Sequence, residues 1–90
     1  MKQPGLKDIV ISHAGHDGGK LFAVIGIKGE RLLLCDGKNR RLETPKCKSP
    51  KHVRLVETGT ACIETDKEIR KTLALAAERI AAAKEENRLG

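Results

Sequence analysis

The segment from Lys38 to Arg54 concentrates side chains that suit binding to a polyanion. It carries seven basic residues against a single acid, Glu43. Arginine offers paired N–H donors that match a phosphate group, and lysine offers a compact positive charge. This density indicates nucleic acid as the simplest partner, although a solvated basic surface is the plainer alternative. The basic residues are Lys38, Arg40, Arg41, Lys46, Lys48, Lys51 and Arg54.

The positive charge of the whole chain lies in its first part. The 90 residues have a formal net charge of +6. Residues 1–58 contain twelve basic and six acidic side chains, whereas residues 59–90 contain six of each and are neutral. The three histidines also fall within residues 1–58, where protonation at mildly acidic pH would add positive charge. The candidate binding surface therefore belongs to residues 1–58.

A glycine-rich segment over residues 13–20 is the second candidate for phosphate binding. Glycine lets backbone amides approach phosphate oxygens without a side chain in the way, and Lys20 adds a charge at the end of the segment. Plain turn geometry is an equally good interpretation of Gly18 and Gly19. The predicted RNA-binding residues here are His13, Gly15, His16, Gly18, Gly19 and Lys20.

The scarcity of aromatic residues narrows the mode of binding. The chain has no Trp or Tyr, and its one Phe, Phe22, lies within a predicted strand where a core position is expected. Binding of single strands by base stacking needs several aromatic platforms. Recognition of folded RNA through its phosphates and shape is the remaining expectation. His13 or His16 beside Asp17 is not accompanied by pocket-forming sequence, so we expect no enzymatic activity.

Cysteine spacing gives little indication of a metal site. Cys35, Cys47 and Cys62 form no C-x-x-C pair. Cys47 and His52 could be combined with upstream histidines, but structural zinc sites usually show two tight ligand pairs. We therefore expect no metal and no cofactor, with a zinc-bound regulator as a distant alternative. With no apolar run of membrane-spanning length and no signal-peptide pattern at the start, we expect a cytoplasmic protein without membrane contact.

Alternating apolar residues predict five short strands that would position these groups. Turn residues separate them, and Asp36-Gly37 is a strong hairpin signal. Five strands in fewer than 60 residues favour a small antiparallel barrel, which would also remove exposed strand edges. The predicted strands are Asp8–Ser12, Leu21–Ile27, Arg31–Asp36, Lys38–Thr44 and His52–Glu57, with a charged loop between Pro45 and Pro50.

A single long helix is predicted over residues 66–88. Thr65 and Glu68 form a capping-box pattern at its start. The apolar stripe of the helix consists of Ile69, Leu73, Ala76, Ile80 and Ala83. The second and third strands are apolar on both faces, so packing of this stripe on the sheet is favoured over a homodimer seam, and we expect a monomer. The predicted division is a barrel over 1–58 and a linker plus helix over 59–90.

The segment from Asp8 to Ile27 resembles a KOW motif. That motif consists of a strand, a loop with a central glycine and a second strand; Gly15 matches the glycine, and Gly18-Gly19-Lys20 matches the basic end of the loop. His16 stands where arginine or lysine is usual. Over residues 5–57 the chain is similar to the small stand-alone KOW-domain proteins of bacteria. More distantly, it resembles the KOW-bearing large-subunit ribosomal proteins of the fourteen-e group.

The resemblance implies a mainly β protein with an SH3-like five-stranded antiparallel barrel, here followed by a C-terminal α-helix. It also implies RNA binding, with ribosomal RNA as the expected ligand, and association with ribosomal or translation proteins. The alternative is a protein-interaction module that docks onto a translation or transcription factor. Salt dependence would distinguish the two, because release of counterions from phosphates makes RNA binding much steeper in salt.

Overall fold

The part of the chain that the structure describes folds into five strands and one α-helix. The computed structural model describes residues 3–13 and 18–89, with helix side chains described through Ala83. The strands are β1 (Ile9–Ser12), β2 (Leu21–Lys28), β3 (Arg31–Cys35), β4 (Lys46–Lys48) and β5 (Val53–Glu57), and the helix is α1 (Asp66–Leu89). A short 3-10 turn over Pro50–His52 leads into β5. The predicted mainly β fold with a C-terminal helix is confirmed.

The strands form one antiparallel sheet in the order β4-β3-β2-β1-β5. Consecutive strands pair from β1 to β4, and β5 returns to the free side of β1, with Ser12 opposite Val53. Within residues 3–13 and 18–89, no ladder joins β5 to β4, so the sheet is open. The predicted closure into a barrel is therefore not seen as continuous strand pairing.

The predicted fourth strand over Lys38–Thr44 is wrong. These residues form a loop, and β4 lies further along the chain, between Pro45 and Pro50, where a charged loop was predicted. Two carboxylates take the amide hydrogens that a strand ladder would have used. Asp36 Oδ1 accepts from the amides of Lys38 and Arg40 at 2.8 and 2.9 Å, and Asp66 Oδ1 accepts from the amide of Leu42 at 2.9 Å.

The two faces of the sheet bury separate apolar clusters. Phe22 and Val24 of β2 point to one face, where they pack with Val10, Leu32, Leu34 and Val53. Ala23 points to the other face, where the cluster includes Ile69, Leu73 and Ala76 of the helix. The period-two alternation of β2 therefore feeds both clusters, and the expectation that the helix covers the second face is confirmed.

The first cluster is enclosed by curvature of the sheet itself. Lys48 of β4 is 9% exposed, and its Nζ donates to Ser12 Oγ of β1 at 2.7 Å. In a flat sheet, three strand spacings would hold β4 about 14 Å from β1, farther than a lysine side chain reaches. Irregular register between Val24 and Gly26, and between Ile9 and Val10, supplies local bends. The sheet therefore curls until its first and fourth strands approach.

The helix begins at Asp66, as predicted. Thr65 Oγ1 accepts from the amide of Glu68 at 3.1 Å, which is one half of the predicted capping box. Ile69, Leu73 and Ala76 of the predicted stripe are buried, Ile80 is half-buried and Ala83 is exposed. Burial of the stripe therefore declines along the helix from Ile69 to Ala83. Among the described residues, no helix is long and apolar enough to cross a membrane.

Candidate nucleic-acid interface

One end of the sheet gathers most of the predicted binding residues. At this end, called the basic end, β1 and β3 finish and β2, β4 and β5 begin. The β1–β2 loop and the β3–β4 loop both lie here. Antiparallel pairing thus brings together His13, Lys38 and Arg54, which are far apart along the chain.

Gly18 and Gly19 form a turn where the β1–β2 loop leads into β2. The Ser12 amide donates to Lys20 O at 2.9 Å, and the Gly19 amide donates to Ser12 O at 2.7 Å. Gly19 has a φ of +86°, a left-handed conformation that favours glycine. Turn geometry therefore accounts for Gly19, and its amide is already used within the turn. Gly15 and His16 lie outside the described residues.

A cleft of about 470 Å³ opens beside this turn and is the first candidate anion site. Its walls include His13, Gly18, Gly19 and Arg54. His13 and Arg54 are both exposed, and a side chain at Gly19 would meet nothing within 4 Å. His13 and Arg54 thus line a cleft that two glycines border. This combination suits a phosphate group, which accepts hydrogen bonds from both side chains.

A second cleft lies between the basic end and the helix. Gly19 borders it as well, together with Lys38, Asp36 and Arg70. The two clefts are therefore adjacent, and they connect Arg54 to Lys38 through the glycine turn. The rest of the second cleft is apolar and is lined by Leu21, Leu73, Ala74 and Ala77.

The β3–β4 loop over residues 36–45, called the basic loop, carries three exposed cations, of which Lys38 lines the second cleft. The three cations are Lys38, Arg40 and Arg41. Asp36 accepts two loop amides, and the Asp36 amide itself donates to Arg40 O at 2.9 Å. The loop backbone thus folds around the Asp36 carboxylate, and the three basic side chains are exposed.

The remaining predicted cations are distributed differently. Lys48 is buried, with its ammonium bonded to Ser12, so it points into the curled sheet. Lys46 is half-buried at the start of β4. Lys51 shares one cleft with Arg54 and another with Gly29 and Glu30 towards the opposite end of the sheet. Of the predicted binding residues that the structure describes, His13, Gly18, Gly19 and Arg54 therefore line the first cleft, and Gly19 and Lys38 line the second.

Arg70 is the functional candidate that sequence reasoning missed. Its spacing of four residues from Asp66 suits an ion pair on the helix surface, but its Nη1 donates to Gly37 O at 2.6 Å. Asp66 accepts from Leu42 instead. Both partners lie in the basic loop, at least 24 residues away along the chain. No local pattern in the helix sequence indicates such contacts.

Of the described residues, one group brings three potential metal ligands within 4.8 Å of one another: Cys62, Glu64 and Glu68. The Cys62 thiol donates to the Glu68 carboxylate. That hydrogen bond raises the pKa of the thiol, which disfavours the thiolate that a metal requires. The group also lies at the start of α1, where the helix dipole opposes a cation. Cys35 lies outside this group. Burial raises the pKa of its thiol to about 11, and the thiol is therefore protonated at neutral pH.

Comparison with known proteins gives no assignment: the chain matches no protein-family model, and a search of the curated proteins finds no similar sequence.

Proposed function

We propose that this protein is a non-catalytic RNA-binding protein of the KOW type that acts in the cytoplasm on ribosomal RNA or another folded RNA of translation. The observation that carries the proposal is the basic end of the sheet. Arg54 and His13 share a cleft with Gly18 and Gly19, and the basic loop lies next to it. Cations around open, glycine-bordered clefts fit phosphate groups.

The curled sheet supports an SH3-like barrel as the underlying fold. Its inner cluster of Val10, Phe22, Val24 and their neighbours is buried without a contribution from α1. The contact between Lys48 and Ser12 draws β4 towards β1. A five-stranded antiparallel sheet that curls in this way supports the SH3-like barrel that the resemblance to KOW domains implies.

The side chains at the surface favour contacts to phosphates over contacts to bases. Phe22 is 1% exposed and lies in the inner cluster, so it offers no stacking platform. Arginines and lysines on loops can follow a folded RNA backbone without reading its sequence. Contacts to about five phosphates would give a slope of log K against log salt of about −3.5 to −4.5.

A second candidate function is protein binding at the cleft between the helix and the sheet. Leu21, Leu73, Ala74 and Ala77 give that cleft an apolar lining, which suits a side chain of a translation or transcription factor. Such a complex would depend only weakly on salt. The salt slope therefore separates the two functions in a single titration.

Crosslinking in living cells followed by sequencing of the bound RNA tests the proposal. We expect ribosomal RNA to be enriched over the background of an unrelated basic protein of similar charge. A variant with Arg40, Arg41 and Arg54 changed to alanine is the matched control, because these exposed side chains are not part of either apolar cluster. Enrichment no greater than that of the unrelated protein would refute RNA binding as the function.

A further inference from the structure

The start of α1 holds the basic loop at two separate points. The Leu42 amide donates to Asp66 Oδ1 at 2.9 Å, and Arg70 Nη1 donates to Gly37 O at 2.6 Å. Gly37 and Leu42 lie on either side of Lys38, Arg40 and Arg41. The segment that carries the three cations is thus fixed on both sides by side chains of the helix.

Close packing at Gly37 reinforces this attachment. Gly37 is buried and has a φ of +79°. A Cβ atom built there would lie 2.5 Å from Asp66 O and 2.8 Å from Arg70 Cγ. The loop backbone therefore rests directly on the first turns of the helix, in a position that only glycine allows.

We propose that Asp66 and Arg70 are positioning residues for RNA binding: they hold the basic loop in the shape that presents its cations to phosphates. This inference rests on the proposed RNA-binding function. A loop that is ordered before binding loses less conformational entropy when RNA binds than a loop that must first be ordered. The helix, whose own segment is neutral, would thereby control the affinity of the basic end.

The signs of the charges make the proposal testable at Asp66. Asp66→Ala and Asp66→Asn each remove one negative charge, so general electrostatics predicts that both variants bind RNA more tightly. Asparagine keeps a carbonyl oxygen that can accept from Leu42, whereas alanine keeps none. We expect Asp66→Ala to bind a labelled RNA hairpin about tenfold more weakly, with a less steep salt slope. Asp66→Asn should bind at least as tightly as the wild type.

Arg70 supplies a second test that does not depend on Asp66. Arg70→Met keeps an aliphatic side chain but removes the donor to Gly37 O, and Lys71→Met removes the same charge from an exposed neighbour. We expect Arg70→Met to weaken binding of the hairpin about fivefold more than Lys71→Met does. Hydrogen exchange at the Leu42 amide should quicken in Asp66→Ala, and amides of β1 and β2 should stay protected if the variant is folded.

The outcomes separate this inference from the proposed function. A wild-type protein that does not bind the hairpin would overturn both. A wild type that binds, with Asp66→Ala as tight as Asp66→Asn and Arg70→Met equal to Lys71→Met, would overturn the positioning role alone. If Asp66→Ala does not fold, the comparison of Arg70→Met with Lys71→Met decides.

Discussion

Both ends of the sheet carry charged side chains. At the basic end these side chains lie on long loops beside clefts, whereas at the opposite end they flank a short turn. At the opposite end, β2 and β3 are joined by a short turn over Gly29 and Glu30, and Lys28 lies opposite Arg31 in the strand register. At the basic end, the connections are long, contain glycines and border two adjacent clefts. Lys51, which lies between β4 and β5, shares a cleft at the opposite end with the acid Glu30.

The helix joins both ends, and its contacts differ between them. At the basic end, Asp66 and Arg70 bind backbone groups of a loop. At the opposite end, Arg79 makes two bonds of 2.7 Å to the carboxylate of Glu57 at the end of β5. The first pair of contacts shapes a surface, whereas the second only attaches the helix. Net charge alone is thus a poor guide to function, because the scaffold behind a charge determines what it can contact.

The largest contrast is expected between two glycines. Gly37 at the basic end and Gly29 at the opposite end both have positive φ, at +79° and +61°. A Cβ at Gly37 would overlap the helix, but a Cβ at Gly29 would meet nothing within 4 Å. We expect Gly37→Ala to lower the free energy of unfolding by about 3 kcal/mol, because strain and overlap add.

Gly29→Ala should lower the free energy of unfolding by only about 1 kcal/mol, from backbone strain alone. Urea denaturation of both variants measures the difference. Equal losses would mean that the basic loop does not rest on the helix as described.

The next contrast concerns two exposed strand arginines. Arg54 lines the first cleft, whereas Arg31 begins β3 at the opposite end. Arg54→Ala should weaken binding of folded RNA about fivefold at physiological salt and make the salt slope less steep by about 0.7–0.9, because one phosphate contact is lost. Arg31→Ala removes the same charge and should change affinity less than about twofold, since salt screens distant charges. An equal loss in both variants, measured by fluorescence anisotropy, would contradict a localised site.

The smallest effect is expected at the attachment of the helix to β5. The hydrogen bonds from Arg79, and next the one from Thr60, hold the pKa of Glu57 below its ordinary range. Because the folded-state pKa is the lower one, the pair stabilises the fold at neutral pH, and this stabilisation is lost as pH falls through the folded-state pKa. We expect Glu57→Gln to lower Tm slightly at pH 7 and to match the wild type well below about pH 4. A difference in Tm that stays constant across this range would rule out the ionised pair as its cause.

Elements that depend on local periodicity could be predicted from the sequence. The alternation of Phe22, Ala23 and Val24 correctly indicated two apolar faces, and the spacing of Ile69, Leu73 and Ala76 correctly indicated the helix that covers one of them. Period-two and three-to-four spacings follow directly from backbone geometry. These signals therefore lie within short windows of sequence.

Elements that depend on distant partners could not be predicted. The segment Lys38–Thr44 was predicted as a hairpin strand, but the Leu42 amide donates to Asp66, which lies 24 residues further along the chain. Lys48 lies in β4, a strand of only three residues. So short a segment does not indicate that the Lys48 side chain points inward and donates to Ser12. The site was therefore predictable as a basic region, whereas the particular cations that face the clefts depend on long-range packing.

The most direct test of the central claim compares two double variants that remove equal charge. Arg40→Ala with Arg41→Ala alters the basic loop, and Lys67→Ala with Lys71→Ala alters exposed positions on the helix. Binding of a folded RNA should be measured as a function of salt for both. The loop variant should make the salt slope less steep by about 1.4 or more and should weaken different RNA sequences equally, because phosphate contacts carry no sequence information. The helix variant should leave the slope nearly unchanged, and equal losses in the two variants would contradict a binding surface at the basic end.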